Sequence, residues 1–269
     1  MNYFEILSPP APCAVKGRQT GLLGDVLQRR LEVLARNKTQ FIFELAHNCY
    51  LKMLMYHHFG EPVLTDHRDI IGASKKLIYE FYTSPWYKDD PVESETMRKE
   101  KGNRKFGWYK VFTDTFIMAL LAEEKEIITF LADYTESWFV PESLAMPVDP
   151  AWGWIYISVA ASFRTKPLDG QAEMEELIRK SRKPAPKLLF KAWEAAREHN
   201  QLDFEKHLRD SVLMHEKKLP EELCNDDLIA FPQSVVLAAA RRLGLSLPIF
   251  EPRVMARLLT SESVGIKPS

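Results

Sequence analysis

The last third of the chain constrains the fold most, because its apolar residues have the spacing of packed helices. Within residues 187–259, one predicted helix is anchored by Trp193 and Ala196, and a second begins near Gln201. The anchoring positions of the second helix recur at three- and four-residue steps: Phe204, Leu208, Ser211 and His215. Residues with this spacing share one helical face. The pattern predicts two antiparallel helices, followed by a third over 232–244.

The third helix has recognisable ends. Pro232 suits the first position of a helix, because that position needs no backbone N–H donor. Gly244 suits the position just beyond the last turn, where a left-handed backbone conformation is common. The apolar positions between these ends predict a buried stripe, made of Leu228, Phe231, Val235, Val236, Ala239 and Leu243.

Helical periodicity also runs through the rest of the chain. Predicted helices cover residues 21–34, 39–59, 66–82, 108–120, 127–134, 152–163 and 173–181. No segment alternates apolar and polar residues as a strand would, and no motif repeats at a fixed period. The sequence predicts an all-α fold without a sheet, an irregular array of antiparallel helix pairs. One domain is expected over 1–269, and an internal boundary would fall in the polar loop 87–104.

Composition limits the kinds of partner. The chain has 36 basic and 37 acidic side chains, which gives a formal charge of -1. A nucleic-acid-binding protein usually has a basic excess, so the balance does not favour that class. With 46% hydrophobic and 27% charged residues, the composition is that of a globular protein.

The cysteines and the apolar runs indicate the compartment. Cys13, Cys49 and Cys224 are widely spaced and form no Cys-x-x-Cys pair, which fits free thiols in a reducing compartment. The amino terminus lacks the basic and apolar regions of a secretory signal. The longest apolar runs, such as 116–122, are too short to cross a membrane. A cytoplasmic protein without membrane contact is expected.

A histidine cluster is the main candidate for metal chemistry. His57, His58 and His67 lie close in sequence to Asp66 and Asp69, and imidazole with carboxylate suits zinc or iron. The same cluster flanks a predicted turn, where polar caps are expected in any case. We favour the second interpretation, so no metal site is expected. A metal-dependent helical-bundle enzyme that uses these histidines is the alternative.

Other catalytic and cofactor motifs are missing from the sequence. There is no Gly-x-Ser-x-Gly motif, and no cysteine lies in a recognisable activating context. The few glycines do not form a phosphate-binding loop between a strand and a helix. No catalytic residue and no cofactor are therefore predicted.

Two features are candidates for protein binding. The first is an acidic turn that consists of Glu221, Glu222, Asp226 and Asp227. Its negative charge could attract a basic protein. The alternative is that the turn only increases solubility, as acidic turns often do. Trp152 and Trp154 cannot both face one interior on a helix, and an exposed tryptophan often anchors an interface. The alternative is that both wedge between helical layers. Basic runs over 98–105 and 179–187 are expected to be solvated surface.

Residues 105–260 resemble a family of bacterial proteins. The segment VFTDTFIMALLAEEKEIITFLADY is similar to a helix–turn–helix of polymorphic-toxin immunity proteins of the immunity protein 49 type. The later segments resemble the ending of that family: KAWEAAREHNQLDFEKHLRDSVLMHEKK, DDLIAFPQSVVLAAARRLGL and LPIFEPRVMARLL. The resemblance implies an all-α bacterial cytoplasmic protein that binds and neutralises a cognate toxin, and it implies no catalytic residues.

The leading hypothesis is therefore a toxin-neutralising binding protein, not an enzyme. Besides the metal-dependent enzyme, a helical-repeat adaptor for an unrelated protein or peptide is an alternative. The pattern leaves self-association into a homo-oligomer open.

Overall fold

The computed structural model describes His58, Thr113 and the ranges 116–138, 150–217 and 228–266. The helices predicted before residue 84, the boundary predicted at 87–104 and the acidic turn at 221–227 lie outside these residues, apart from His58. Within the described part, helical residues 116–121 precede seven helices. In chain order these are α1 (Lys125–Trp138), α2 (Pro150–Ala161), α3 (Gln171–Lys180), α4 (Pro184–Arg197), α5 (Gln201–Glu216), α6 (Phe231–Arg242) and α7 (Pro252–Met255).

The all-α prediction is confirmed, since the described residues contain helices and no strand. The prediction for α2 was 152–163, so the observed helix lies two residues earlier at both ends. No helix in the described ranges is long and apolar enough to cross a membrane.

Helix α4 lies at the centre of the described bundle. It packs most extensively against α5, with which it forms an antiparallel hairpin through the short turn 198–200, and it also contacts α2, α3 and α6. Its apolar residues recur every three or four positions, so one broad face enters the core. The largest fully buried side chains of the hairpin are Trp193, Phe190 and Phe204. Burying a side chain of this size contributes about 2 to 3 kcal/mol, so this hairpin supplies much of the core.

Helices α2 and α6 are buried on most of their surface. In α2, every residue from 155 to 160 is buried, and in α6 the same holds for 233–240. A helix buried in this way has no large polar face, and α2 is accordingly apolar on all sides. Helix α6 also buries Gln233 and Ser234, whose side chains donate to Ser211 Oγ and to the carbonyl of Ala230. The stripe predicted for α6 is confirmed at its central positions, although Phe231 and Leu243 at its ends are only half-buried.

Three helix ends share one backbone arrangement. Glu123, His199 and Gly244 each follow a helix with a positive φ, of 61°, 55° and 96° respectively. In each case the next residue donates its N–H to the carbonyl five positions back, as Asn200 does to Ala195 at 2.9 Å. This hydrogen bond belongs to the Schellman motif, in which glycine is the usual left-handed residue. The predicted role of Gly244 is therefore confirmed, and two non-glycine residues adopt the same conformation.

The start of α6 differs from the prediction by one residue. The helix begins at Phe231, so Pro232 is its second residue rather than its first. Ala230 precedes the helix, and its N–H donates to the carbonyl of Arg257 at 2.8 Å. This tertiary hydrogen bond fixes the entry to the helix, and a sequence pattern does not show it.

Replacing His199 with glycine should stabilise the fold by about 1 kcal/mol, because a side chain makes the left-handed conformation unfavourable by roughly that amount. The matched change Gly244→Ala should destabilise it by a similar amount. A Cβ at Gly244 would meet no atom within 4 Å, so only the backbone conformation opposes it. Urea unfolding measures both effects. A loss of stability in His199→Gly would contradict this explanation.

Candidate partner-binding surface

The acidic turn predicted to bind a partner lies outside the described residues, but the chain on either side of it is described. Arg257 holds the two sides together. Its Nη2 donates to the Glu216 carboxylate at 3.3 Å, and its Nη1 donates to the carbonyl of Leu228 at 3.1 Å. Glu216 is the last residue of α5, and Leu228 precedes α6. One side chain therefore links Glu216 and Leu228, which lie on either side of the segment that contains Glu221, Glu222, Asp226 and Asp227.

This clamp is a nearly buried ionic cluster. The side chain of Arg257 is only 4% exposed, and Glu216 also accepts a hydrogen bond from Arg253 Nε at 2.6 Å. Burial lowers the pKa of Arg257 below its usual value, and the pairing with Glu216 offsets this only in part. Arginine nevertheless stays protonated at any physiological pH. Removing Glu216 would leave a buried cation unpaired, which is strongly unfavourable.

The two tryptophans of the predicted interface lie on α2. Trp152 and Trp154 are both half-buried, and both pack against the hydrophobic core. Each side chain therefore keeps a part that a partner could reach and a part that packs on the core. Their role in binding a partner stays a prediction.

The structure shows other exposed apolar side chains that the sequence did not single out. Among the described residues these are Leu177, Leu202 and Ile249, which are 50%, 79% and 98% exposed. Gln201 joins the chain segments of the last two, because its side-chain amide donates to the Ser246 carbonyl at 3.2 Å and accepts from the Ser246 N–H at 3.0 Å. Single exposed apolar side chains are common on protein surfaces, and a partner that covered Leu202 and Ile249 would bury apolar area.

A second ionic cluster surrounds Glu175 of α3. Its carboxylate accepts hydrogen bonds from Ser158 Oγ at 2.6 Å, Gln171 Nε2 at 2.8 Å and both terminal nitrogens of Arg197 at 2.8 and 3.1 Å. These groups belong to α2, α3 and α4, so the cluster ties three helices together. Burial acts to raise the pKa of Glu175, but the hydrogen bonds from Arg197, Gln171 and Ser158 together outweigh it and lower the pKa below 4.5.

The basic run over 179–187 is surface, as expected, and part of it is paired. Arg179 forms ion pairs with Glu176 at 3.3 Å and with Glu194 at 2.8 Å. Its guanidinium also lies 5.5 Å from the centre of the Phe190 ring, within the range of a cation–π contact. These contacts give Arg179 a structural role in joining α3 to α4.

His58, a candidate metal ligand, is used by the chain itself. Its Nε2 lies 2.9 Å from the carbonyl oxygen of Ala256, and its Nδ1 lies 2.7 Å from Ser263 Oγ. A carbonyl only accepts, so Nε2 carries a proton and a metal would have to displace Ser263 from Nδ1. The other two candidates, His57 and His67, lie outside the described residues. Within those residues, no three His, Cys, Asp or Glu side chains are grouped to hold a metal ion.

Sequence reasoning missed the Glu175 cluster for an identifiable reason. The spacing of Gln171, Glu175 and Arg179 at four-residue steps was visible and predicts contacts along one helical face. The decisive partners, Ser158 and Arg197, lie 17 and 22 residues away, and only the packing of α2 and α4 against α3 brings them to the carboxylate.

No protein-family model, curated protein or solved structure matches this chain. The resemblance to immunity proteins therefore stays a prediction.

Replacing Glu175 with glutamine should destabilise the fold by about 2 to 3 kcal/mol at neutral pH, because the half-buried Arg197 loses its carboxylate partner. The difference in the free energy of unfolding between Glu175→Gln and the unchanged protein should depend on pH. Since the folded-state pKa lies below the unfolded value of about 4.5, this stabilisation is complete above about pH 5.5 and disappears as the pH falls through the folded-state pKa. Urea unfolding at several pH values measures it.

Glu173→Gln is the matched control, because Glu173 is an exposed carboxylate on the same helix. It should change the free energy of unfolding by less than about 0.5 kcal/mol. A Glu175→Gln effect of the same size at pH 3 and pH 7 would show that the charge of the carboxylate is not what stabilises the cluster.

Proposed function

We propose that this protein binds a cognate bacterial toxin and neutralises it by direct contact. The resemblance of residues 105–260 to immunity proteins suggests the partner. The near-neutral composition and the missing catalytic motifs in the sequence agree with a protein that acts through its surface.

The observation that carries the proposal is the clamp formed by Arg257. The clamp joins the two ends of a segment that contains four acidic residues within seven positions. Fixed ends reduce the conformational entropy that such a segment loses when it binds. The negative charge of this segment would attract a basic surface and increase the rate of association.

The buried charges of the described bundle support the same proposal. Three buried residues there are acidic, basic or histidine, and each is bonded within the chain: His58 to Ala256, Glu175 to Arg197, and Arg257 to Glu216. These groups are thus used to hold helices together. The exposed Leu202 and Ile249 supply apolar contact area of the kind that anchors protein interfaces.

Co-expression with the product of the neighbouring reading frame tests the proposal. If that product is a toxin, cells that produce it should grow only when this protein is present, and the two proteins should copurify. Failure of this protein to bind any product of the adjacent reading frames, in cells where those products are folded, would contradict the proposal.

Reversing the charge of the acidic turn, with Glu221, Glu222, Asp226 and Asp227 all changed to lysine, should reduce the association rate constant about tenfold at low salt. Stopped-flow fluorescence measures the rate. The control is Glu173→Lys and Glu198→Lys, which changes two exposed carboxylates elsewhere. Equal rates for the two variants would exclude steering by the acidic turn.

Changing Ile249 to serine should weaken binding to the partner about tenfold, since a central apolar contact of this size is worth about 1.4 kcal/mol or more. The stability of the free protein should stay the same within about 0.5 kcal/mol, because the side chain is 98% exposed. Leu177→Ser is the matched control on α3. Titration calorimetry measures the affinity. Unchanged affinity of Ile249→Ser for the partner would contradict the assignment of Ile249 to the binding surface.

A further inference from the structure

Residues 246–251 form a strap that runs along α5. Gln201 holds one end, because its side-chain amide exchanges two hydrogen bonds with the backbone of Ser246. Arg209 holds the other end, since its Nε and Nη2 both donate to the Glu251 carboxylate. The two anchoring positions on α5 are separated by about 12 Å along the helix axis. No residue of the strap lies in a helix, strand or turn, so the strap covers this distance as extended backbone.

The strap has an inner and an outer side. Pro248 is buried, and Leu247 and Phe250 are half-buried and pack against the hydrophobic core. Ile249 is 98% exposed, so its side chain is directed away from the core. The inward contacts and the two anchors hold the strap in place, and a surface fixed in this way needs little ordering when a partner binds.

The backbone of the strap is unpaired between its two ends. Among the described residues, no group accepts a hydrogen bond from the N–H of Leu247, Ile249 or Phe250, and none donates to the carbonyls of 247–250. Backbone N–H and C=O groups are strong hydrogen-bonding groups, and a row of them on extended backbone is a template for pairing with another chain. The main chain of an extended peptide has the matching alternation of donors and acceptors.

A carboxylate lies beside the strap. Glu205 accepts a hydrogen bond from Gln201 Nε2 at 2.6 Å, and the same nitrogen donates to the Ser246 carbonyl. The charge of Glu251 is balanced by Arg209, whereas Glu205 forms no ion pair within the described ranges. The negative charge of Glu205 therefore favours a cationic side chain in a segment that pairs with the strap.

We propose that the strap binds an extended segment of a partner protein through main-chain hydrogen bonds, as in the addition of a strand to an exposed edge. An apolar side chain of the segment would pack on Ile249, and a lysine or arginine would lie near Glu205. This inference deepens the proposed function and rests on it only for the identity of the partner, which would be the toxin.

NMR titration of the full-length chain with a short peptide tests the chemistry without the partner. The peptide N-acetyl-Val-Lys-Val-Lys-Val-amide should bind with a Kd on the order of 1 mM, since it offers few contacts. The same peptide with methyl groups on its three central amide nitrogens cannot donate these hydrogen bonds and should bind at least fivefold more weakly. A peptide with glutamate in place of both lysines should also bind at least fivefold more weakly.

Two variants of Ile249 separate main-chain pairing from side-chain contact. Ile249→Ala shortens the side chain and keeps the N–H, whereas Ile249→Pro also removes the N–H. Ile249→Pro should weaken peptide binding at least fivefold more than Ile249→Ala does. Both variants should unfold at the same urea concentration as the unchanged protein, because the N–H of Ile249 has no partner in the described part of the chain.

Glu205→Gln should weaken the lysine peptide at least threefold, and Glu173→Gln, which changes an exposed carboxylate on α3, should not. Equal affinity for the peptide and its N-methylated form, or equal effects of Ile249→Ala and Ile249→Pro, would overturn the proposal. A dimer of this chain that is lost in Ile249→Pro would also overturn it, because the strap would then bind a second copy. Binding of the peptide without binding of any neighbouring gene product would contradict the proposed function alone.

Discussion

Packing of the α4–α5 hairpin around Trp193, Phe190 and Phe204 is the constraint on which the rest of the described structure depends. Helices α2, α3 and α6 contact α4 directly, whereas α1 packs on α2 and α7 packs on α5. A large aromatic core of this kind is intolerant of truncation, since removing a buried ring costs about 3 to 5 kcal/mol. The ionic clusters then determine how the outer helices are oriented on this core.

Those clusters act at opposite sides of the hairpin. Glu175 joins α2 and α3 to the carboxy-terminal end of α4 through Arg197. Arg257 joins the end of α5 to the chain that enters α6, and His58 connects a distant part of the sequence to Ala256 and Ser263. Buried ionic groups do not always add net stability, but a misplaced helix would leave them unpaired, so they disfavour alternative packings. The result is a framework that holds Glu216 and Leu228, the residues described on either side of 218–227, in place.

The sequence was informative where a residue type has one strong conformational preference. Gly244 identified the end of α6, and the three- and four-residue steps from Phe204 to Ser211 identified the buried face of α5. His199 and Glu123 adopt the same left-handed conformation as Gly244, yet their residue types gave no sign of it. The candidate surface was less predictable, because it depends on distant residues. Arg257 and Leu228 are 29 residues apart, and α2 packs on so many sides that both of its tryptophans are partly covered.

Native-state hydrogen exchange of the backbone amides is the most direct test of the central role of α4. If the hairpin core supports the other helices, the amides of α4 should open only with global unfolding, and their protection should equal the free energy of unfolding measured with urea. Amides of α3 and α1, at the edge of the described bundle, should exchange through smaller openings. Exchange of α4 by local opening while α1 or α3 stays protected would contradict this account.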